Sequence, residues 1–378
     1  MRYKIVKTDG KKSQQGRKKK VVDGKALAKK LRRACGVVCL AVFVFCVALF
    51  VLPLLPKRPV SVSDKTEYGG VLQMWNVEGF EGGCGSRQTW LTKRAAKFER
   101  ANKGTYVHVE TITPAQAEDR LKRGETFDIV GFSFGSGALF CNKLLPVAVP
   151  HNVADNFKQS ATYGSSTYAI PYLSGVYCLF ARQSELTEDD LPSQCLTKRI
   201  TRKVGKRMYE LQPLTYGVSY YNNPLYALAL SEVRGNAELS ELTQYGAYEG
   251  FVAHTSAVTL LGTQRDLYRL NKRAEQGKIE QMSILPLGGY TDLVQYVGIS
   301  DGANKAAAEA FCKYLLSAEA QSSLVDIGMF SVTDSIYSDP IYKRCEVALA
   351  ECYVPNVFTV DAASLRRQAA KLLEGKIE

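Results

Sequence analysis

The residues with the clearest catalytic potential form a G-x-S-x-G sequence, Gly131-Phe132-Ser133-Phe134-Gly135, directly after a segment predicted to be a buried strand. A serine at a sharp strand-to-helix turn can act as a nucleophile, and His254 follows with many carboxylates between, the chain order of an α/β-hydrolase triad. However, no H-G-G-G-type oxyanion loop precedes this sequence, and a second Gly-Ser-Gly at 135–137 delays the helix. An extracellular serine hydrolase using Ser133 and His254 therefore stays the alternative to a simple glycine-containing loop.

Metal and phosphate chemistry have weaker support. The three histidines, His108, His151 and His254, are isolated, and none lies four residues from another. No G-x-x-x-x-G-K-[ST] sequence occurs. The glycine-rich run GGCGSRQ does open a predicted helix, whose N-terminal N–H groups favour an anionic or hydroxyl-rich ligand. We predict no metal ion and no cofactor.

The elements that position these residues follow a β-α-β pattern. Val71 to Val77 predicts a strand, Arg87 to Asn102 a helix, and Thr105 to Thr111 a second strand. Pro114 begins another helix, and Phe127 to Phe132 predicts a buried strand. Such alternation indicates a parallel sheet, which binds ligands outside the carboxyl ends of its strands. The loops after Val77 and after Phe132 are therefore the candidate ligand loops.

Tyrosines are unusually frequent, with 21 Tyr and 15 Phe against two Trp. Four of them, Tyr216, Tyr220, Tyr221 and Tyr226, cluster within TYGVSYYNNPLYALAL. A tyrosine combines an apolar face with a hydrogen-bonding tip, which suits sugar rings. We expect one or two of the four to contact a ligand.

An uncharged apolar run, Ala34 to Pro56, predicts a single transmembrane helix. Its 23 residues are enough to cross a hydrocarbon core of about 30 Å. Residues 1–33 carry 14 Lys and Arg against Asp9 and Asp23, so this tail should stay cytoplasmic and the remainder should be extracellular. The run is long for a signal peptide, and no A-x-A-like site follows it, which favours an uncleaved anchor.

The formal net charge of +12 belongs to this tail, because 35 basic and 35 acidic residues remain beyond it. Anionic inner-leaflet lipids are the expected partner of the basic residues, and we predict no nucleic-acid partner.

Residues 57–70 predict a polar tether. Residues 71–378 exceed one typical core, which predicts two lobes. Seven cysteines lie outside the span without a repeated spacing, and of these Cys345 and Cys352 could pair.

Several segments in order resemble a family 1 extracellular solute-binding protein, the maltose-binding type that serves ABC importers. VLQMWNVEGFEGG and its following helix resemble the family's first strand, ligand loop and helix. FDIVGFSFGSG, YAIPYLSGVYCLFAR, GTQRDLYRL, ILPLGGYTDLVQYVGIS and AAAEAFCKYLLSAEAQSSLVDIGMFSV resemble later blocks. The resemblance covers roughly Val71 to Met329.

The resemblance implies a two-lobed α/β periplasmic-binding-protein-like fold of type II, with a ligand cleft that closes by a hinge. It implies a first lobe of about 68–173 and 284–316 and a second lobe of about 177–283 and 317–378. The implied ligand residues are Glu78, Phe80, Glu81, Arg87, Gly135, Ser136, Tyr172, Ser174, Tyr220, Tyr221, Gln264, Arg265, Tyr290 and Phe330.

The expected function is capture of a small solute, a sugar or oligosaccharide, for an ABC permease driven by a separate ATPase. A ligand sensor without a permease is a further alternative. The chain departs from the family in its span, which replaces the usual lipidated cysteine, and in lacking the tryptophan often found near Phe251 to Gly262. The resemblance predicts a binding protein and not an enzyme.

Overall fold

The computed structural model describes residues 69–218, 223–231, 233 and 239–373. The predicted tail, span and tether up to residue 68 lie outside these residues, as do Tyr220 and Tyr221. No helix within the described ranges has the length and apolar character needed to cross a membrane.

Thirteen strands occur in the described residues, and most follow the predicted order. The strands are β1 (Gly70–Val77), β2 (Thr105–Ile112), β3 (Ile129–Ser133), β4 (Thr162–Tyr163), β5 (Ser166–Thr167), β6 (Ile170–Ser174), β7 (Tyr177–Arg182), β8 (Ile200–Val204), β9 (Arg207–Val218), β10 (Leu239–Thr243), β11 (Ala257–Thr263), β12 (Met282–Leu287) and β13 (Val294–Ile299).

Eleven α-helices lie between or after these strands in the described part of the chain. The helices are α1 (Arg87–Ala101), α2 (Pro114–Lys122), α3 (Asp155–Lys158), α4 (Leu191–Gln194), α5 (Pro224–Ala229), α6 (Gln244–Val252), α7 (Gln264–Glu275), α8 (Lys305–Leu315), α9 (Ala318–Ser322), α10 (Pro340–Ala350) and α11 (Ala362–Leu373). Short 3-10 turns cover Gly137–Leu139, Cys141–Lys143, Gln159–Ala161 and Ser323–Ile327.

Local capping explains where the helices beside the strand ends begin. The Ser86 side chain accepts a hydrogen bond from Thr89 N at the start of α1. Thr113 and Gln116 form a capping box ahead of α2, with Pro114 at its first position. Thr263 and Asp266 form another at α7. Each box satisfies backbone N–H groups that a helix start leaves unpaired, so these three turns are fixed by their own sequence.

The first sheet has the strand order β2-β1-β3-β13-β6. Strands β1, β2 and β3 are parallel, whereas β13 is antiparallel to both β3 and β6. The parallel arrangement predicted for the first three strands is therefore confirmed, and β13 adds an antiparallel strand that the sequence analysis did not predict. This strand enters from the other lobe and so begins at the edge where β1 and β3 end.

The second sheet has the order β10-β9-β11-β7-β12, and β8 pairs with β9 as a hairpin. Strands β9, β10 and β11 are parallel, while β7 is antiparallel to β11 and β12. Strand β7 follows β6 after only two residues, so it starts at the edge of this sheet that faces the first sheet.

The described chain crosses between the two lobes at several places. The first crossing is Gly175-Val176, the second follows Leu287, the third lies near Gly328, and the fourth lies between α10 and Val357. Ser174 and Phe330 exchange two backbone hydrogen bonds of 2.9 and 3.0 Å. The first and third crossings therefore form one small hydrogen-bonded ribbon.

The lobe boundaries implied by the resemblance need three corrections. Strand β12 pairs in the second sheet, so the second crossing follows Leu287 and does not begin at 284. The segment 318–327 belongs with the first lobe, because Trp90 Nε1 of α1 donates to Ser323 Oγ over 2.9 Å. Helix α10 lies in the second lobe, where Cys345 and Leu349 join its hydrophobic core. The Val357 N–H then bonds the Ser160 carbonyl, which returns the chain to the first lobe.

The seven cysteines in the described residues are free thiols. The pairing of Cys345 with Cys352 is therefore not present. Cys352 Sγ instead donates to the Ala348 carbonyl over 3.3 Å, while Cys345 packs in the second core. Burial raises the pKa of Cys352 to about 12, which keeps this thiol protonated.

The packing of α1 on α8 generates a test of the first core. Phe98 is fully buried, with its ring 5.2 Å from Phe311 and 5.8 Å from Tyr314. We expect Phe98→Ala to lower the free energy of unfolding by about 3–5 kcal/mol, since it removes apolar contacts and leaves a cavity. Urea denaturation should show a lower midpoint. Tyr106→Ala is the control, because Tyr106 is exposed and should cost about 1 kcal/mol or less. Equal losses in both variants would contradict this packing.

Candidate functional site

The candidate site is the cleft where the edges of the two sheets face each other. Strands β1 and β3 end at this edge of the first sheet, and β9, β10 and β11 end at the facing edge of the second. Since ligands of open α/β sheets bind outside the carboxyl ends of strands, the loops that follow these strands are the expected ligand loops.

The loop after β1 joins the two lobes directly. Gln264 begins α7 in the second lobe, and its Nε2 donates to the Glu81 carbonyl over 3.2 Å. The Gln264 Oε1 accepts a bond from Val176 N in the first crossing over 3.1 Å. Glu78 is exposed and Phe80 is buried in the same loop. Glu81, Phe80 and Gln264, all predicted ligand residues, therefore meet near the hinge.

Arg87 lies fully buried at the first turn of α1. Its Nε donates to Asn76 Oδ1 over 2.9 Å, its Nη2 donates to the Val77 carbonyl over 2.5 Å, and Glu81 Oε2 accepts from its backbone N–H. These bonds hold the guanidinium at the end of β1. Ser133 ends β3, and Gln295 of β13 is its cross-strand partner. We call Arg87, Ser133 and Gln295 the arginine cluster.

A second polar group lies at the first and second crossings. Tyr177 OH donates to Asp292 Oδ1 over 2.6 Å and accepts a bond from Asn223 N over 3.0 Å. The Tyr290 hydroxyl faces the same carboxylate, and the Tyr290 ring packs edge-on against Tyr226 at 4.8 Å. We call Tyr177, Asn223, Tyr290 and Asp292 the aspartate cluster. Burial raises the pKa of Asp292 to about 6, although the Tyr177 and Tyr290 hydroxyl groups act to lower it.

A cavity of about 330 Å³ opens beside the loop after β3. Gly135 and Ala138 line it from the first lobe, and Asp361 and Arg366 line it from α11 and the residue before that helix. Gly135 has a φ of 88°, a left-handed conformation that favours glycine. This predicted ligand residue thus faces a space that both charged and apolar groups surround.

The other predicted ligand residues divide into two groups. Tyr172, Ser174 and Ser136 are buried at the same edge, and within the described residues their hydroxyl groups have no hydrogen-bond partner. Tyr172 stacks on Trp90 at 6.1 Å, and burial raises its pKa. Phe330 instead packs against Tyr337 in the second core, so it supports the third crossing. Arg265 is half-buried next to Gln264.

Sequence reasoning missed Tyr177, Asn223, Asp292 and Gln295 as members of the site. A usable signal was present for two of them. Asp292 and Gln295 interrupt the apolar run that contains β13, TDLVQYVGIS, and a buried strand carries such polar residues only at a cost. Tyr177 and Asn223 offered no comparable signal, because their meeting depends on the fold.

The structure does not bring Ser133 and His254 together. Ser133 ends β3 at the cleft, whereas His254 lies three residues before β11, whose far end reaches the cleft. Seven strand residues span roughly 20 Å, so the histidine is remote from the serine. His254 Nε2 lies 2.6 Å from Glu185 Oε1, and burial lowers the pKa of this histidine to about 4. Across the described ranges, no group of three His, Cys, Asp or Glu side chains has an arrangement for a metal ion.

Solved structures with the same fold include three substrate-binding proteins. The GacH receptor of Streptomyces glaucescens, studied unliganded and with acarbose, is 14% identical, with a TM-score of 0.57 over 82% of this chain and 95% of that chain. The maltodextrin-binding protein MalE1 of L. casei is 12% identical, with a TM-score of 0.57 over 82% and 94%. The spermidine/putrescine ABC transporter substrate-binding protein PotD of Streptococcus pneumoniae is 11% identical, with a TM-score of 0.53 over 81% and 98%.

No protein-family model matches this sequence, and no curated protein does. At such low identity, the likeness shows the fold. This chain therefore has the two-lobed α/β fold of maltodextrin-binding and other ABC substrate-binding proteins, as the sequence predicted.

The aspartate cluster predicts a specific pH dependence of stability. The pKa of Asp292 is 3.8 when solvated and about 6 in the fold, so the folded state retains a proton that the unfolded state loses. Stability from this group is therefore present below about pH 4 and is lost as the pH rises through 6. Relative to that of the Asp292→Asn variant, the free energy of unfolding of the native protein should fall by up to about 3 kcal/mol between pH 4 and pH 7.

Urea denaturation at several pH values checks this difference. Asp266 and His254 also titrate in this range, with pKa values of about 6 and about 4, but both are present in each protein and cancel in the comparison. Parallel stability curves for the two proteins would show that Asp292 is not the group responsible.

Proposed function

We propose that this chain is an extracellular solute-binding protein of the family 1 type, anchored in the cell membrane by residues 34–56, that captures a sugar or oligosaccharide for an ABC importer. The observation that carries the proposal is the cleft itself. Two sheets face each other edge to edge across hydrogen-bonded crossings, and the buried polar groups of Tyr172, Ser174 and Asn223 at these edges have no hydrogen-bond partner in the described residues.

The aspartate cluster supports a hydroxyl-bearing ligand. Asn223 Nδ2 is buried and has no hydrogen-bond partner among the described residues, and it belongs to the same cluster as the Asp292 carboxylate. A donor and an acceptor at one place suit a hydroxyl group, which both donates and accepts. The nearby Tyr226 is partly exposed and packs against the buried Tyr290, and a tyrosine ring offers the kind of apolar face on which sugar rings pack.

The solved neighbours support the same class of function. Cyclo/maltodextrin-binding protein is described with maltotetraose, and an ABC substrate-binding protein of Listeria monocytogenes with cycloalternan. PotD, whose structural similarity to this chain is comparable, is named for spermidine and putrescine. The fold therefore supports solute capture in general, and the cleft chemistry favours sugars within it.

The first experiment follows the melting temperature of the full-length chain in mild detergent against sugars, oligosaccharides, amino acids and polyamines. A ligand at 100 times its Kd should stabilise the fold by about 2.7 kcal/mol, a rise of a few degrees. We expect a rise with one class of sugar. Tyr177→Phe should reduce it, because the change removes the bonds to Asp292 and Asn223. Tyr163→Phe, at an exposed tyrosine of β4, should not. A rise with polyamines alone would contradict sugar capture.

The anchor has its own test. We expect the full chain to sediment with membranes after alkaline carbonate washing, since 23 uncharged residues remain in the bilayer when peripheral contacts are removed. Deletion of residues 34–56 should release the protein. A variant with the basic residues of 1–33 changed to glutamine is the control, because it retains the apolar run. Release of the native protein by carbonate would contradict the anchor.

A further inference from the structure

The hairpin formed by β8 and β9 carries an unusual concentration of positive charge. Residues 198–207, KRITRKVGKR, contain six Lys and Arg and no acidic residue, although the chain beyond the predicted tail has equal numbers of both. We call Lys203, Lys206, Arg207 and Met208 the hairpin tip. All four side chains are exposed, and the three cations form no ion pair with any described residue. The tip is therefore a patch of uncompensated positive charge.

The hairpin projects from the end of the second lobe that lies away from the cleft. Residues Arg207–Leu211 pair with β8 alone, since β11 first pairs with β9 at Gln212 and β10 first pairs at Leu214. Because β9, β10 and β11 run toward the cleft, the start of β9 lies at the opposite edge of the sheet. The hairpin tip is thus remote from the candidate ligand site.

The base of the hairpin is fixed to the lobe. Ile200 and Tyr209 pack against the hydrophobic core, and Arg202 Nη1 donates to Glu185 Oε1 over 3.4 Å. Gly205 has a φ of 61°, the left-handed conformation that a two-residue hairpin turn needs. These contacts hold the tip in a defined position on the surface, so its charges act together.

The chemistry of the hairpin tip matches an anionic lipid surface. Lys203 lies directly opposite Met208 in the strand pairing, and Lys206 and Arg207 are at the turn. The Met208 side chain is 63% exposed. Clustered Lys and Arg are attracted to anionic headgroups, and an apolar side chain among them can enter the boundary between headgroups and acyl chains. A soluble polyanion would pair with the charges but would leave the methionine in water.

The predicted anchor keeps such a surface within reach of the hairpin. Residues 57–70, which lead from the apolar run to β1, can span at most about 50 Å. A domain of about 310 residues has a radius of gyration of about 20 Å, so the hairpin can contact the bilayer when the domain lies along it. Attachment also raises the effective concentration of the hairpin at the membrane, which populates a contact too weak for an unattached protein.

We propose that the hairpin tip docks on the anionic phospholipid headgroups of the membrane that anchors the chain. This inference rests on the anchor of the proposed function and adds a second point of attachment to it. The contact would hold the second lobe to the bilayer by the end that lies away from the cleft. The loops of the candidate ligand site would therefore stay accessible to solute.

Tryptophan fluorescence of the full-length chain in lipid discs tests the docking. Met208→Trp places a probe at the hairpin tip, and lipids with brominated acyl chains quench its emission when the ring enters the bilayer. The two native tryptophans, Trp75 and Trp90, are buried and give a constant background. Tyr245→Trp is the control, because Tyr245 is an exposed residue of α6 at the cleft end of the same lobe and should not be quenched.

Lipid charge and salt decide whether the probe is quenched. We expect quenching of Met208→Trp in discs of equal parts phosphatidylglycerol and phosphatidylcholine, but not in discs of phosphatidylcholine alone. Quenching should also disappear in about 1 M salt, where the screening length falls to about 3 Å.

Charge variants in the Met208→Trp chain identify the groups responsible. Lys203→Gln, Lys206→Gln and Arg207→Gln combined should lower the ratio of docked to free hairpin about 100-fold, since each basic residue near an anionic surface contributes about fivefold. The matched control combines Lys203→Arg, Lys206→Arg and Arg207→Lys. It keeps all three charges, so the quenching should persist.

The outcomes separate this inference from the proposed function. Absence of quenching at Met208→Trp in anionic discs would overturn the docking and leave anchoring and solute capture intact. Equal quenching in discs with and without phosphatidylglycerol would overturn the role of the three cations. Heparin binding that the glutamine variant loses, without quenching by anionic discs, would assign the tip to a soluble polyanion instead. Loss of the native chain from the discs would overturn the anchor and with it the basis of this inference.

Discussion

The hydrogen bonding of Gly175 is the constraint on which the two-lobed arrangement depends. Its N–H donates to the Leu293 carbonyl over 2.6 Å, and its carbonyl accepts from Thr291 Oγ1 over 2.9 Å. A side chain at this position would collide with the Gln264 amide, which bonds the next residue along the crossing. The first and second crossings and the start of α7 are thereby held together at one glycine. Its hydrogen bonds therefore help to set the positions of the facing sheet edges.

The buried polar groups near this hinge reduce stability in the absence of ligand. A donor or acceptor that is removed from water without a partner costs about 1–3 kcal/mol, and more when it is charged. The arginine and aspartate clusters each contain such groups, whereas the faces of the sheets are packed with apolar side chains. This concentration of unsatisfied groups at one cleft is expected of a binding site, because a ligand that pairs them recovers the lost free energy.

Much of the fold could be predicted from local sequence. The order of β1, α1, β2, α2 and β3 follows from hydrophobic periodicity and from capping residues such as Thr113. The antiparallel direction of β13 and the limits of the lobes could not, since they depend on where the chain crosses between sheets. Of the site residues, Arg87 and Gln264 were identified through the family resemblance. Gln295 could not be identified in this way, because its position beside Ser133 appears only with the strand pairing.

The loop after β1 connects the buried arginine of the first lobe to the second lobe. Glu81 bonds the backbone of Arg87 with its carboxylate and accepts from Gln264 with its carbonyl, so one residue contacts both the buried arginine and the opposite lobe. A ligand can shift the lobes toward the closed state only by binding that state more tightly than the open one. Any group that positions Gly79 and Glu81 over the arginine also positions the Glu81 carbonyl for Gln264. Under the proposed function, a ligand that contacts this loop would favour the closed state by stabilising the bond between Gln264 and the Glu81 carbonyl.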